Sequence, residues 1–182
     1  WSDKFAIDFN GDGEVDIVVA NYQSDDIGVF LNGGNRNFSN QVTFATAGFP
    51  YSVAVADLNN DNHDDIVTAN QPNGTLSILF GFGNGSFASA VSLAAGWSPQ
   101  RVAVDDFNND GYKDIVSTDY QINATNVFLG FGNGSFAAAI ALSILKQPTF
   151  ISVDDFNGDG WKDLAIALND SPGLTILLNT CS

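Results

Sequence analysis

Apolar residues recur along this chain in short alternating runs and nowhere at the three-to-four spacing of an amphipathic helix. Val53 and Val55, Val102 and Val104, and Ile151 and Val153 alternate with small or polar neighbours, the period-two pattern of a strand. After each pair come the β-branched runs "DIVTAN", "DIVSTD" and "DLAIAL", with "DIVVAN" as their counterpart near the start. A third set follows, "IGVFLN", "LSILFG", "NVFLGF" and "LTILLN", and a fourth, "QVTFATA", "AVSLAAG" and "AIALSIL", comes after a Gly-Asn turn. The runs are four to seven residues long and bounded by Gly, Asn and Pro, so the pattern predicts strands throughout.

The runs repeat in register. "DFNGDGEVDI", "DLNNDNHDDI", "DFNNDGYKDI" and "DFNGDGWKDL" begin at Asp8, Asp57, Asp106 and Asp155, a constant step of 49. A second marker keeps that step, because "GNRNF" and two copies of "GNGSF" end at Phe38, Phe87 and Phe136. Each unit is therefore four short strands in 49 residues, the dimensions of a propeller blade, which buries both faces only by stacking on neighbours. The expected fold is an all-β propeller domain over 1–182, with four-stranded antiparallel repeats at about 1–48, 49–97, 98–146 and 147–182. The first unit reads "FAIDF" where the others read "VAVADL", "VAVDDF" and "ISVDDF", as if one residue were deleted before Asp8. The last unit stops after its third strand. Apolar faces at both ends would then be exposed, a patch that soluble monomers rarely tolerate. The expectation is a segment of a larger propeller or a half-ring that pairs with its own copy, with a closed four-bladed ring as a third arrangement.

Each acidic cluster reads D-x-N-x-D-x-x-x-D. In a tight loop the side chains at positions 1, 3 and 5 can converge on one point, closed by the carbonyl of position 7 and the carboxylate of position 9. All are hard oxygen donors, which selects Ca²⁺ over zinc or copper. The expected ligands are Asp8, Asn10, Asp12 and Asp16; Asp57, Asn59, Asp61 and Asp65; Asp106, Asn108, Asp110 and Asp114; and Asp155, Asn157, Asp159 and Asp163. Glu14, His63, Tyr112 and Trp161 would contribute backbone carbonyls. Position 6 needs a sharp reversal, supplied by Gly13, Gly111 and Gly160 and in the second loop by Asn62. A solvated Asx-rich turn is the alternative for any one loop; recurrence in all four weighs against it.

Composition agrees with a globular chain: 45% hydrophobic, 12% aromatic and only 15% charged. The 21 acidic residues against 6 basic ones give a formal charge of −15. That field repels nucleic acid and anionic membranes and attracts cations. Four divalent ions would reduce it to about −7. No apolar stretch approaches the roughly 20 residues of a membrane span. No leader is visible, so a signal peptide is expected to have been removed or to lie upstream. Cys181 has no intramolecular partner, which leaves a free thiol or a bridge to another chain.

At these residues the chain resembles the FG-GAP or VCBS-type repeat family, whose units build the β-propeller of integrin α-subunits. The matching elements are "DFNGDG..D", the strand after it and the "GFGNGSF" turns. The resemblance implies a propeller of typically seven blades with Ca²⁺ in the hairpin between strands 1 and 2. It also implies extracellular adhesion or recognition of a protein or glycan, or service as an accessory module of a larger secreted enzyme. About four units, and Asn62 in place of glycine, are the departures.

Catalysis is not expected. "GFGNGS" at 81–86 and 130–135 is not followed by a helix, and the one histidine, His63, lies in a cluster without a nucleophile to serve. Asn37, Asn73, Asn84, Asn123, Asn133 and Asn169 head N-x-[ST] sequons, which serve equally as turns or glycan acceptors. Opposite the acidic loops the chain places Tyr22, Phe49, Tyr51, Trp97, Tyr120 and Phe150. Such aromatics either recognise sugar or protein side chains or fill space between blades. Of these, Tyr22, Tyr51, Trp97 and Tyr120 are the candidate ligand-binding residues, and a carbohydrate-binding lectin is the alternative function.

Overall fold

The 49-residue step becomes a row of antiparallel sheets. The computed structural model describes residues 7–35, 37–71, 73–144, 146–169 and 173–180, and every regular element among them is a strand. The first sheet holds β1 (Ile17–Asn21), β2 (Asp26–Phe30) and β3 (Val42–Ala45), and an antiparallel bridge joins Ile7 to Asp16. The second runs β4 (Pro50–Ala56), β5 (Asp65–Asn70), β6 (Thr75–Leu79) and β7 (Val91–Ala94). The third repeats it with β8 (Pro99–Asp105), β9 (Asp114–Asp119), β10 (Ala124–Phe128) and β11 (Ile140–Ser143). The fourth holds β12 (Pro148–Asp154), β13 (Asp163–Leu168) and β14 (Leu174–Leu177). Spatial order follows chain order in every sheet. Among the described residues the architecture is all-β and propeller-like, and the sheets do not close into a ring. The shortened inner strand of the first unit and Cys181 lie outside the described residues.

Local chemistry sets the strand edges. β4, β8 and β12 each start on a proline, and the register shifts directly after each, between Pro50 and Ser52, Pro99 and Arg101, and Pro148 and Phe150. Proline cannot donate to a ladder, so it is tolerated at a strand's first residue.

The second strand of a blade has blades on both sides, so its alternate faces enter different cores. Ile66 joins Ile27, Val29 and Phe9 toward blade 1, while Val67 and Ala69 join Val102, Ile115 and Phe128 toward blade 3. A third cluster, with Val116, Ile151, Leu164 and Ile166, seals blade 3 against blade 4. Along the chain β5 and β9 are buried at every position. At the two ends the corresponding faces are open: Ile17 is exposed on blade 1, and Leu174 and Ile176 on blade 4.

Blade 3 departs from this apolar scheme. Thr118 and Thr125 stand one repeat after Ala69 and Leu76, pair across the ladder, and are fully buried. Their hydroxyls find no hydrogen-bond partner among the described residues. A buried unsatisfied hydroxyl costs about 1–3 kcal/mol. Thr125→Leu, which copies Leu76, is therefore expected to raise stability by about 1 kcal/mol in urea unfolding.

Candidate metal loops and a candidate recognition edge

The four acidic loops share one geometry. Position 1 folds back over its own loop: Asp8 Oδ1 accepts the N–H groups of Gly11 and Asp12 at 2.8 and 3.1 Å, and Oδ2 accepts Gly13 at 2.7 Å. Asp155 does the same with Gly158, Asp159 and Gly160. Asp57 and Asp106 each hold the amides of positions 5 and 6. These donors favour the charged form and hold the carboxyls of Asp8 and Asp155 below the usual carboxylate range, the amide of Gly13 or Gly160 contributing most.

Positions 3 and 5 stand side by side. The amide Nδ2 of Asn10, Asn59, Asn108 and Asn157 donates to Oδ2 of Asp12, Asp61, Asp110 and Asp159 at 2.8–3.0 Å. Oδ1 of each aspartate takes the position-7 amide, from Glu14, His63, Tyr112 or Trp161. The reversal at position 6 is left-handed in all four loops, with φ of 85° at Gly13, 87° at Gly111, 88° at Gly160 and 66° at Asn62. Position 4 is left-handed as well, occupied by Gly11, Asn60, Asn109 and Gly158, a requirement the sequence reading did not anticipate.

Position 9 behaves differently. Asp16, Asp65, Asp114 and Asp163 are buried, and each carboxylate bridges two strand connections. One oxygen accepts the amide of position 2 in its own loop, from Phe9, Leu58, Phe107 or Phe156, at 2.8–3.0 Å. The other accepts an amide sixteen residues on, from Asn32, Gly81, Gly130 or Asn179, at 2.7–2.8 Å. Burial pushes Asp65 up to about 6 and raises Asp114, against the pull of those two amides. Asp64 is also raised, by burial and then by the charges of Asp57 and Asp8.

The donor chemistry at each tip fits a hard cation: two carboxylates and an amide oxygen from positions 1, 3 and 5, all on the loop's own side chains. Among the described residues no three His, Cys, Asp or Glu side chains converge into one group, because the position-9 carboxylate is turned into the sheet. Ligation by Asp16, Asp65, Asp114 and Asp163 would share those oxygens with the backbone.

The antiparallel order puts the aromatic residues at the opposite end of the blades. Tyr22 stacks edge-on to Tyr51 at 6.0 Å and lies 5.4 Å from Phe49, and the Arg101 guanidinium sits 5.1 Å over Tyr51. Tyr22, Tyr51 and Phe150 remain 42–44% exposed. Trp97 is 69% exposed and stands apart from that cluster. Its backbone is fixed by Asp119, a fully buried carboxylate that accepts the amides of Trp97, Ser98, Gln121 and Ile122. Asp119 was not a sequence candidate; its signal is an acid one repeat after Asn70, at the end of the strand opposite Asp114. Tyr120 Oη accepts from Asn169 across the blade 3–blade 4 gap at 3.3 Å. Of the sequon residues, Asn84 and Asn133 turn their side-chain oxygens onto Ser86 and Ser135, and Asn73 donates to Ala47 of the preceding linker.

The family described as the FG-GAP-like repeat matches three overlapping stretches, 8–68, 57–117 and 106–166. The chain belongs to that family. Each match starts on a position-1 aspartate, so the shared unit is the acidic loop together with the strands around it. No match was found among curated protein sequences. Among solved structures the FG-GAP-like chain is similar to a lectin from Agrocybe aegerita that recognises non-reducing terminal N-acetylglucosamine. That likeness has a TM-score of 0.65 at 20% identity, over 96% of this chain and 51% of the lectin. It is also similar to BBS1N in complex with ARL6DN (TM-score 0.61, 13% identity, 95% and 55% covered). A weaker likeness is to the exo-β-1,3-galactanase 1,3Gal43A from Clostridium thermocellum (TM-score 0.51, 14% identity, 84% and 41% covered). At such identities the likeness is one of fold. The chain spans about half the length of these structures.

Proposed function

We propose that this FG-GAP-like chain is a calcium-binding recognition module that works outside the cell and binds a protein or glycan ligand rather than catalysing a reaction. The observation that carries this reading is the fourfold loop. Asn10 and Asp12, and their counterparts at 59 and 61, 108 and 110, and 157 and 159, are held side by side by a hydrogen bond from the asparagine side-chain amide to the aspartate carboxylate. Oxygen donors prepositioned on a chain of charge −15 suit a divalent cation, and calcium supplies charge neutralisation and a fixed hairpin tip when bound. Affinities of about 10⁻⁴–10⁻³ M are typical of extracellular calcium modules. At calcium a few times Kd each ion would then add about 1 kcal/mol of stability. Melting curves with calcium and with chelator test this, and a midpoint that does not move overturns it. Titration calorimetry of Asp61→Asn against the wild type, with one site fewer expected, assigns a loop.

For the ligand, the exposed Trp97 on its clamped loop and the Tyr22–Tyr51 cluster favour a glycan. Support comes also from the fold shared with a lectin, while the fold shared with BBS1N, solved in complex with ARL6DN, keeps a protein ligand in view. Glycan-array binding that disappears in Trp97→Ala or Tyr120→Ala, with melting unchanged, is the expected result. Binding that survives both substitutions removes this edge from the site. Among the described residues no helix is long and apolar enough to cross a membrane.

A further inference from the structure

Six asparagines in this chain are followed directly by glycine: Asn10, Asn32, Asn73, Asn84, Asn133 and Asn157. In such a pair the glycine nitrogen can attack the preceding side-chain amide, because no Cβ obstructs the five-membered ring that closes. In a folded chain the reaction needs an asparagine Nδ2 that is free to leave and a glycine N–H that is free to turn. Asn10, Asn32, Asn73 and Asn157 donate their Nδ2 to Asp12, the Val15 carbonyl, the Ala47 carbonyl and Asp159 at 2.7–3.1 Å. Three of the four glycine amides that follow them are held as well, Gly11 and Gly158 by the position-1 carboxylates and Gly33 by the Asn37 carbonyl.

Asn84 and Asn133 are the other two. Both are exposed, and neither Nδ2 has an acceptor among the described residues. They lie in identical stretches, GFGNGSFA at 81–88 and 130–137, so local sequence gives them equal reactivity. In both turns the serine two residues on donates its amide and its hydroxyl to the asparagine Oδ1, at 3.0 and 2.6 Å. The next residue differs. The Gly85 amide donates to the Phe9 carbonyl of blade 1 at 2.8 Å. Its counterpart, the Gly134 amide, meets no acceptor among the described residues.

We propose that Asn133 is a self-modification site, the place where the folded chain deamidates first. The Gly134 nitrogen, losing its proton to solvent base, bonds to Cγ of Asn133. The Cγ–Nδ2 bond breaks, and Nδ2 leaves as ammonia with a proton from water. The negative charge carried by Oδ1 in between is met by the Ser135 hydroxyl and amide. Water then opens the cyclic imide at either carbonyl, giving aspartate or isoaspartate, the latter with its main chain routed through the β-carbon. The net change is amide plus water to carboxylate plus ammonium, with no oxidant or reductant. Isoaspartate lengthens the turn by one backbone atom just ahead of Phe136, which packs on blade 2 beside Leu58, Phe80 and Leu93. The modification therefore loosens the contact between blades 2 and 3.

The test is ageing of the intact 182-residue chain at mildly alkaline pH, followed by peptide mapping in a mass spectrometer. A bacterial host supplies the chain, so that no glycan occupies the asparagines. Asn133 is expected to convert at least about fivefold faster than Asn84, the factor that one retained amide hydrogen bond imposes. In urea the two are expected to convert alike. Equal native rates, a lead by any other asparagine, or a difference that persists in urea overturns the proposal. So does a native chain that stays intact while the unfolded chain converts. The isoaspartate form is expected to melt below Asn133→Asp, which gains the charge without the extra atom; equal midpoints overturn the loosening. Neither calcium nor a ligand enters these outcomes, so the test stands apart from the proposed function.

Discussion

Asp114→Ala is expected to destabilise the chain by about 4 kcal/mol. The carboxylate is fully buried and holds two backbone amides, Phe107 at 2.8 Å and Gly130 at 2.7 Å. Truncation leaves both donors without acceptor or solvent. Each buried orphan costs about 1–3 kcal/mol, and hydrogen bonds to a charged acceptor stand at the upper end. Solvent does not reach the carboxylate, since Asp114 has no exposed surface. Gly130 cannot shift to find another partner: an added Cβ there would run into the carbonyl of Lys113, which shows how closely the two connections touch. Asp114→Asn, which keeps one acceptor and turns a donor toward the second amide, is expected to lose about half as much. Urea unfolding gives the free energies, and hydrogen exchange at the Phe107 and Gly130 amides gives the location. A loss below about 1 kcal/mol in Asp114→Ala, or unaltered exchange at those amides, would show that the bridge is not structural.

That bridge marks where local pattern stops being informative. The loop itself was legible: D-x-N-x-D with Gly or Asn at position 6 specifies short-range turns, and Asn62 takes the left-handed conformation expected of it. The period of 49 identified the blades, and the alternating runs became β4 to β14 because each contact they need recurs one unit away. Asp16, Asp65, Asp114 and Asp163 are harder to read. From spacing alone a ninth-position aspartate belongs to the loop, yet its two partners sit on separate connections, one of them sixteen residues downstream. A signal was present in the constant offset to Asn32, Gly81, Gly130 and Asn179, but no one-loop argument uses it. The aromatic edge was legible in its location and not in its grouping. Tyr22 meets Tyr51 through a blade contact, whereas Trp97 owes its position to a buried acid that local sequence gives no reason to notice.

Phe87→Ala is the second large effect, about 4 kcal/mol, and it separates stacking of blades from folding of a blade. Phe87 is 8% exposed and meets two rings of the preceding blade edge-on. Truncating a buried phenylalanine costs about 3–5 kcal/mol through lost transfer energy and residual cavity, and each aromatic pair adds roughly 0.5–1.5 kcal/mol. The chain supplies its own control. Phe38 occupies the same place in unit 1, has no blade before it among the described residues, and is 42% exposed. If the energy comes from plugging a neighbour, Phe38→Ala should change stability by less than about 1 kcal/mol while Phe87→Ala loses several. If it comes from the glycine turn within a blade, both substitutions should cost alike, since both residues close the same kind of bridge, Asn32 to Phe38 and Gly81 to Phe87. Equal losses in urea unfolding would therefore refute the plug. A large difference would locate a main coupling between blades in a side chain that crosses from each unit into the one before it.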